Sequence, residues 1–190
     1  TYIFTSLALV LRCIALVILA PAAVAVYYKD WHSIIPFVGA SLLSFVLSFL
    51  FTRKSDTFES LNDIKKSEAL CVVTLSWLSF SIIGMLPYIY FGLSPLNSLF
   101  ESVSGITTTG ATILTSFDYP KAMFFWRSMS QWLGGMGIIV LFIAILPQFA
   151  VAGRQMFFAE APGPTEDKIT PRIRHTASAV WTIYLLVTLM

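Results

Sequence analysis

The chain of 190 residues is strongly apolar: hydrophobic side chains make up 57% of it, charged side chains 12%, and its mean hydropathy is +0.80. An ordinary soluble domain carries about 25% charged residues, so this composition excludes a soluble globular protein and predicts an all-helical integral membrane protein. The formal charge of +2 gives no indication of an acidic partner, because the placement of Lys and Arg beside membrane spans matters more than their sum.

Two apolar runs at the amino terminus have the length of membrane helices. They cover residues 7–28 and 34–51, close to the roughly 20 residues that cross a bilayer. Only a short connection separates them, so residues 1–52 are predicted to form a two-helix membrane hairpin. Pro21 and Pro36 are acceptable in this setting as kinks or helix ends.

Basic residues set the predicted orientation. The polar connections 53–68 and 153–176 are rich in them: Arg53, Lys54, Lys65, Lys66, Arg154, Lys168, Arg172 and Arg174. Such segments favour the cytoplasmic side of a membrane, whereas the short link around Lys29 carries one basic residue and is predicted to be external. The amino terminus is therefore predicted to be cytoplasmic.

Residues 69–152 are predicted to form one unit of two spans between these two connections. Apolar runs at 69–91 and 122–151 supply an outer and an inner helix, and residues 177–190 begin a further apolar run. Because both connections are assigned to the cytoplasm, the polar segment between the outer and the inner helix must enter the membrane from outside.

A short helix is predicted before the polar loop of this unit. Ser94 is a suitable N-cap and Pro95 suits the first helical position. Apolar residues then recur at helical spacing, at Leu96, Leu99, Phe100 and Val103. At about 1.5 Å per residue, the predicted short helix 94–104 is too short to cross a bilayer but suits a helix that dips halfway in. Its carboxyl end carries partial negative charge, which favours a cation beyond it.

The loop 105–112 follows, with the sequence Gly-Ile-Thr-Thr-Thr-Gly-Ala-Thr. Irregular backbone at membrane depth is tolerated only where it is buried in protein or lines a watery cavity, and such loops replace the hydration shell of a cation with carbonyl oxygens. The loop is therefore a candidate cation site. Gly110 alone could instead be a turn glycine. A phosphate-binding loop is disfavoured, because Ala111 replaces the required Lys.

Two ionisable residues and three glycines are candidates for a supporting role. Glu101 lies in the short helix, where it could raise the cation concentration at a pore mouth, or pair with Arg127 or with backbone amides behind the loop. Arg127 is predicted to be an interface anchor or the partner of Glu101. The glycines permit either close helix packing or flexion of the inner helix: Gly134, Gly135 and Gly137.

Three motifs resemble one known family. FESVSGITTTGAT, RSMSQWLGGMGIIVLFIAILP and AEAPGP occur in this order and are similar to the Trk/Ktr potassium uptake family, specifically to its TrkH-like membrane subunits. The similarity runs from about Glu68 onward. The amino-terminal hairpin adds to it, because the family carries two helices before its first pore unit.

The resemblance implies potassium uptake through a filter of backbone carbonyls in the bacterial inner membrane. It implies four pore units around a pseudo-fourfold axis. The first would be residues 69–152, with outer helix 69–91, pore helix 94–104, filter loop 105–112 and inner helix 122–151. Thr107, Thr108, Thr109 and Gly110 match the first filter loop, and the carbonyls of Thr108, Thr109 and Gly110 would be potassium ligands. Potassium would be the transported ligand, with no organic cofactor. The implied partners are membrane lipid, a second copy of the full-length protein and cytosolic nucleotide-binding regulatory subunits of the TrkA type, with no nucleic acid.

The chain departs from that family pattern because it carries one filter loop, and a quarter of a filter cannot coordinate a dehydrated ion. It ends at Met190 within an apolar run, so a piece of a longer protein is expected. The alternatives are a homotetrameric cation channel with one unit per chain, or a membrane-embedded hydrolase using Ser102 or Ser104. A hydrolase needs a nearby base, and His32 and His175 are predicted at opposite membrane faces. The chain is therefore predicted not to be an enzyme.

Overall fold

Every regular element that the structure describes is helical. The computed structural model describes residues 2–53, 66–157 and 170–190. In chain order the helices are α1 Tyr2–Val17, α2 Ala20–Tyr27, α3 Ile34–Arg53, α4 Lys66–Gly84, α5 Leu86–Tyr90, α6 Pro95–Ile106, α7 Lys121–Phe157 and α8 Thr170–Leu189, with a 3₁₀ turn at Trp31–Ser33 before α3. The chain divides into two compact units, Thr1–Trp132 and Leu133–Met190.

Among the described residues, three stretches of helix are long and apolar enough to cross a membrane: Ile3–Tyr27, Trp31–Arg53 and Leu70–Tyr90. A shorter apolar helix lies at Ser178–Leu189. Large apolar side chains are exposed along the first two spans, as a surface in contact with lipid requires; among them are Leu9, Leu16, Leu42, Phe45 and Phe49. The prediction of an all-helical membrane protein is confirmed at this level.

Pro21 divides the first span into α1 and α2. A proline has no amide hydrogen and its ring clashes with the preceding turn, and the backbone tightens ahead of it. The amide of Leu19 donates to the carbonyl of Leu16 at 3.3 Å and so does not serve the carbonyl of Ala15, its regular helical acceptor. The single run predicted over 7–28 is therefore two helices in the structure.

Three serines of α3 bind this first span. Their hydroxyls donate to carbonyl oxygens of α1: Ser41 to Ala15 at 2.7 Å, Ser44 to Leu11 at 2.7 Å and Ser48 to Ala8 at 2.8 Å. Spacings of three and four residues place the three side chains on one face of α3, and small side chains let two helices approach closely. The amino-terminal hairpin is thus joined by hydrogen bonds along its length.

The Ser41 hydroxyl also satisfies a backbone group that the helix break leaves without a partner. The carbonyl of Ala15 receives no helical donor, because the amide of Leu19 is bonded elsewhere, and the Ser41 hydroxyl takes that place. Leu11, in contrast, lies inside α1, where the amide four residues later serves its carbonyl. The serine bond is therefore the main partner at Ala15 and an additional one at Leu11.

Pro87 divides the third span in the same way, into α4 and α5. The outer helix predicted over 69–91 is thus interrupted near its end. The indole of Trp126, a fully buried residue of α7, donates to the carbonyl of Gly84 beside the break at 3.0 Å. A Cβ added at Gly84 would lie 2.8 Å from Ser102 Oγ, so glycine allows α4 and α6 to meet here. This contact brings α4, α6 and the start of α7 together.

The short helix α6 begins where its capping signal indicates. Ser94 is its N-cap, accepting from the amide of Asn97 at 3.3 Å, and Pro95 opens its first turn. The helix ends at Ile106, two residues beyond the predicted pore helix 94–104, so the first residues of the predicted filter loop are helical.

The observed end of α7 and the observed start of α8 also differ from the predicted ones. α7 extends to Phe157 instead of ending near 151, and α8 begins at Thr170 instead of near 177. Most of the predicted cytoplasmic connections, together with the AEAPGP motif, lies outside the described residues, at 54–65 and 158–169.

We predict that Ser41→Ala destabilises the hairpin more than Ser44→Ala does. Ser41→Ala leaves the buried carbonyl of Ala15 without a donor, at a cost of about 1 to 3 kcal/mol. Ser44→Ala removes an additional bond, about 0.6 kcal/mol between membrane helices. Thermal unfolding of a detergent-solubilised full-length protein carrying residues 1–190 measures the difference. Leu43→Ala, at an exposed position of α3, is the control; equal midpoints for the two serine variants would contradict the prediction.

Candidate functional site

The loop after α6 lies against α6 and the first turns of α7. One face of α6 is buried: Ser98, Glu101, Ser102, Ser104, Gly105 and Ile106. Gly105 is so close to α7 that a Cβ built on it would collide with Ser130 Oγ. Glycine at this position therefore allows α6 to reach α7 and fixes the place where the loop begins.

The loop backbone alternates in handedness. Thr107, the C-cap of α6, has φ −80°, Thr108 has φ +58° and Gly110 has φ +75°, with Thr109 on the negative side between them. A left-handed threonine is disfavoured by about 1 to 2 kcal/mol, so its neighbours must hold it. The Thr107 hydroxyl donates to the carbonyl of Val103 at 2.7 Å and lies 2.8 Å from the Thr109 hydroxyl. Because Thr107 has already used its one proton, Thr109 is the donor in the second bond.

Several amide groups of the loop are bonded back to α6. Three such bonds are present: Thr107 to the carbonyl of Val103 at 2.9 Å, Thr108 to that of Gly105 at 3.0 Å and Gly110 to that of Ser104 at 3.4 Å. They supply donors to carbonyls that the end of a helix otherwise leaves without partners.

The carbonyl groups of the three threonines show the opposite pattern. Within the part of the chain that the structure describes, no hydrogen bond ends on the carbonyl oxygens of Thr107, Thr108 or Thr109, and residues 107–113 are exposed. The loop therefore has three occupied amide donors and three available carbonyl acceptors. That polarity suits a cation, which binds to oxygens.

Glu101 lies behind the loop and is fully buried. Its Oε1 accepts from the Thr112 hydroxyl at 2.6 Å and from the Ile113 amide at 2.7 Å, and its Oε2 accepts from Nε of Arg127 at 3.0 Å. A buried carboxylate needs both an opposite charge and hydrogen-bond donors, and Glu101 has both. Of the two roles that the sequence left open, these contacts favour pairing with Arg127 and with a loop amide.

Arg127 reaches the loop with the rest of its guanidinium group. Nη2 donates to the carbonyl of Gly110 at 3.0 Å and to that of Ala111 at 3.4 Å. Ser104 Oγ donates to the same Ala111 carbonyl at 2.6 Å. Because the guanidinium is planar and rigid, its bond to Glu101 fixes the direction of the bonds to the loop. Helix α6, the loop and α7 are thus joined through one pair of side chains.

The glycines of the predicted inner helix lie in an uninterrupted helix. α7 runs from Lys121 to Phe157, and none of its glycines has a positive φ. Three of them were singled out for packing or flexion: Gly134, Gly135 and Gly137. Flexion stays a prediction.

The contacts of Ser102 and Ser104 do not suit a hydrolase. Ser104 Oγ donates to a loop carbonyl. Ser102 Oγ is buried, with no hydrogen-bond partner among the described residues. His32 is bonded to the hydroxyl of Tyr90 at 3.0 Å, and the side chain of His175 falls outside the described part.

Sequence reasoning missed two hydroxyl groups of this site. Ser104 binds one side of the loop through the carbonyl of Ala111, and Thr112 binds the other side through Glu101. The sequence feature that could have indicated them is a hydroxyl residue at each end of the loop. Because serine and threonine also bond to their own helix backbone, that signal did not distinguish these two residues from the other hydroxyl residues of the chain.

A family model described as TrkH, cation transport protein, matches residues 34–190. The chain belongs to the TrkH family. The Trk system potassium uptake protein TrkH of Vibrio parahaemolyticus is 41% identical over 191 residues, covering 95% of this chain and 38% of the relative. The TrkH of Halomonas elongata is 36% identical over 189 residues, covering 96% of this chain and 38% of the relative. The TrkH of Escherichia coli K12 is 47% identical over 131 residues, or 66% of this chain and 27% of that protein.

A solved structure of the family has the same fold. The crystal structure of the potassium transporter TrkH from Vibrio parahaemolyticus matches with a TM-score of 0.76 at 33% identity, covering 98% of this chain and 38% of that one. The chain thus spans 38% of the length of this TrkH protein. The TrkH family consists of transport proteins and not of enzymes, which confirms the prediction that the chain is not an enzyme and leaves the hydrolase alternative without support.

We predict that Gly105→Ala destabilises the TrkH fold by about 1 to 3 kcal/mol, the usual effect of overpacking, because the new methyl group meets Ser130 Oγ. Adding Ser130→Ala removes that oxygen and should recover part of the loss. Gly39→Ala is the matched control, since a Cβ there has nothing within 4 Å and alanine is the better helix former. Thermal unfolding in detergent measures all three. An unchanged midpoint for Gly105→Ala would show that α6 and α7 pack less closely than described.

Proposed function

We propose that this chain supplies one carbonyl filter loop of a potassium uptake transporter. The observation that carries the proposal is the polarity of the loop. Three of its amides, those of Thr107, Thr108 and Gly110, donate back to α6, while the carbonyls of the three threonines 107–109 accept nothing from the described residues and lie in an exposed segment. Potassium is the proposed cation because the TrkH relatives are named potassium uptake proteins.

The proposed ligands are the backbone oxygens of Thr107, Thr108, Thr109 and Gly110. Carbonyl oxygens in such a loop replace the hydration water of the ion, and ions pass between neighbouring sites of this kind. A carbonyl has two lone pairs, of which Arg127 uses one at Gly110, so that oxygen still has capacity for an ion. The carboxyl end of α6 adds partial negative charge beside the loop. Transport by this means needs no organic cofactor.

Further loops must complete the filter, since one loop supplies too few oxygens to replace a hydration shell. We place them in later repeats of the same polypeptide, so that the whole polypeptide carries four filter loops, including this one. The length of the relatives supports this arrangement, because the chain spans 38% of the first two and a channel with one unit per chain needs no such additional length. The homotetrameric alternative is therefore the weaker one.

The proposed setting is the bacterial inner membrane, with a cytoplasmic amino terminus. Basic residues at 53–68 and 153–176 support that orientation. The relatives are named as parts of a Trk system, which supports association with other components, and we assign cytosolic nucleotide-binding subunits of the TrkA type to this role. A homodimer of the full-length protein rests on the family resemblance.

Gly110→Ala in a full-length transporter carrying residues 1–190 is expected to lower potassium uptake by at least about tenfold. A side chain at φ +75° is strained by about 1 to 2 kcal/mol, and relief of that strain turns the adjacent carbonyls, whose spacing the ion requires. Rubidium entry into cells that lack other potassium transporters, at matched amounts of membrane protein, measures the effect.

Gly92→Ala is the matched control for this experiment. Gly92 has φ +96°, and a Cβ at either glycine has nothing within 4 Å, so the two variants carry similar backbone strain. Gly92 lies outside the loop, and its variant should keep rubidium entry near that of the unaltered transporter. Equal losses in the two variants would refute the filter assignment, because the defect would then be one of folding.

A further inference from the structure

We propose that the buried carboxylate of Glu101 determines the ion preference of the loop by cancelling the charge of Arg127. This cancellation lets the guanidinium hold the loop carbonyls without repelling the transported cation. The inference rests on the proposed function of the loop as a potassium filter, and it assigns Glu101 and Arg127 to positioning, with no direct contact with the ion.

Arg127 is in an unexpected place for a cation transporter. Its Nη2 lies 3.0 Å from the carbonyl oxygen of Gly110, one of the proposed ligands. A positive charge at that distance from a ligand oxygen weakens the binding of any cation there, and the effect is larger at a partly buried site than in water. The side chain is 19% exposed, so water screens its charge only in part.

Glu101 supplies the negative charge that compensates Arg127, and it does so in direct contact with the guanidinium group. Its Oε2 accepts from Nε of Arg127 at 3.0 Å, and the carboxylate is 0% exposed. Salt in the solvent screens such a buried pair far less than it screens surface charges. The pair as a whole is neutral, so the ion meets a rigid set of donors behind the loop and no net repulsion. An exposed pore-mouth charge, the alternative for Glu101, is incompatible with this burial.

The geometry also requires an arginine. One guanidinium donates through Nε to Glu101 and through Nη2 to the carbonyls of Gly110 and Ala111. A lysine ammonium carries its three donors on a single nitrogen, so it does not reproduce donors fixed at two separate atoms of one plane. The carboxylate in turn holds the far side of the loop through Thr112 and Ile113. Loss of either partner therefore loosens the spacing on which discrimination between potassium and sodium depends.

The test compares Glu101→Gln, Arg127→Gln and the double variant in a full-length transporter carrying residues 1–190. Uptake of rubidium and sodium gives the KM for rubidium and the ratio of the two rates. We expect Glu101→Gln to raise KM by at least about tenfold, since it leaves an uncompensated charge beside the ligands. The double variant removes that charge, and its KM should return to within about threefold of the original. The rubidium-to-sodium ratio should fall in all three.

A purely structural role predicts the reverse order. The double variant has then lost both partners and should be at least as impaired as Glu101→Gln, and that outcome would overturn the inference. Ser102→Ala is the matched control, a buried neighbour on α6 that bonds to nothing in the described chain, and it should change neither quantity. Asp118→Asn removes an exposed acid near the loop; a rise in KM equal to that of Glu101→Gln would assign the effect to surface charge and also overturn the inference.

Two further variants distinguish a failure of the charge-cancellation proposal from a failure of the filter proposal. If Glu101→Gln does not reach the membrane, Arg127→Lys carries the test, because it keeps the charge pair but loses the bond to the loop. It should lower the rubidium-to-sodium ratio with little change in KM, and an unchanged ratio contradicts the inference. Gly110→Ala tests the filter itself. If it abolishes uptake while the double variant shows no rescue, charge cancellation fails and the filter proposal stands.

Discussion

Because hydrocarbon contains no water, every interruption of backbone hydrogen bonding in this chain must be satisfied by another part of the protein. Beside two breaks within apolar spans, a carbonyl accepts from a side chain of another helix. The carbonyl of Ala15, near Pro21, accepts from the Ser41 hydroxyl, and that of Gly84, near Pro87, accepts from the indole of Trp126. Both donors come from a different helix, so the same bonds that satisfy the backbone also hold the helices together.

In the loop after α6, several amide donors are satisfied within the protein. The amides of Thr107, Thr108 and Gly110 are bonded to the end of α6, and the amide of Ile113 is bonded to Glu101. The carbonyls of the three threonines are exposed and accept nothing within the described residues. An unpaired carbonyl is unfavourable in lipid but favourable beside a cation or water, so this difference between donors and acceptors indicates what kind of ligand the loop takes.

The sequence predicted those features that depend on local composition. Apolar run length predicted the spans, and Ser94 with Pro95 predicted the start of α6. It did not predict the serine bonds between α1 and α3, because these depend on the register between two helices, which periodicity within one helix does not contain. Glu101 and Arg127 lie 26 positions apart. The sequence left two roles open for Glu101, pairing behind the loop or a charge at a pore mouth, because burial distinguishes them and a single sequence does not report burial. The early start of α8 was missed because basic residues that mark a cytoplasmic segment are also good helix formers.

The requirement for glycine at position 110 follows from its backbone conformation. The carbonyl of Thr109 has no partner among the described residues, whereas that of Gly110, the next along the chain, accepts from Arg127. Gly110 joins these two peptide groups at φ +75°, a left-handed conformation that glycine adopts without a Cβ clash. Thr108 adopts φ +58° as well, but the bonded hydroxyls of Thr107 and Thr109 flank it. Gly110 has no such brace, so its conformation depends on the absence of a side chain and on the hold of Arg127, and through Arg127 on Glu101.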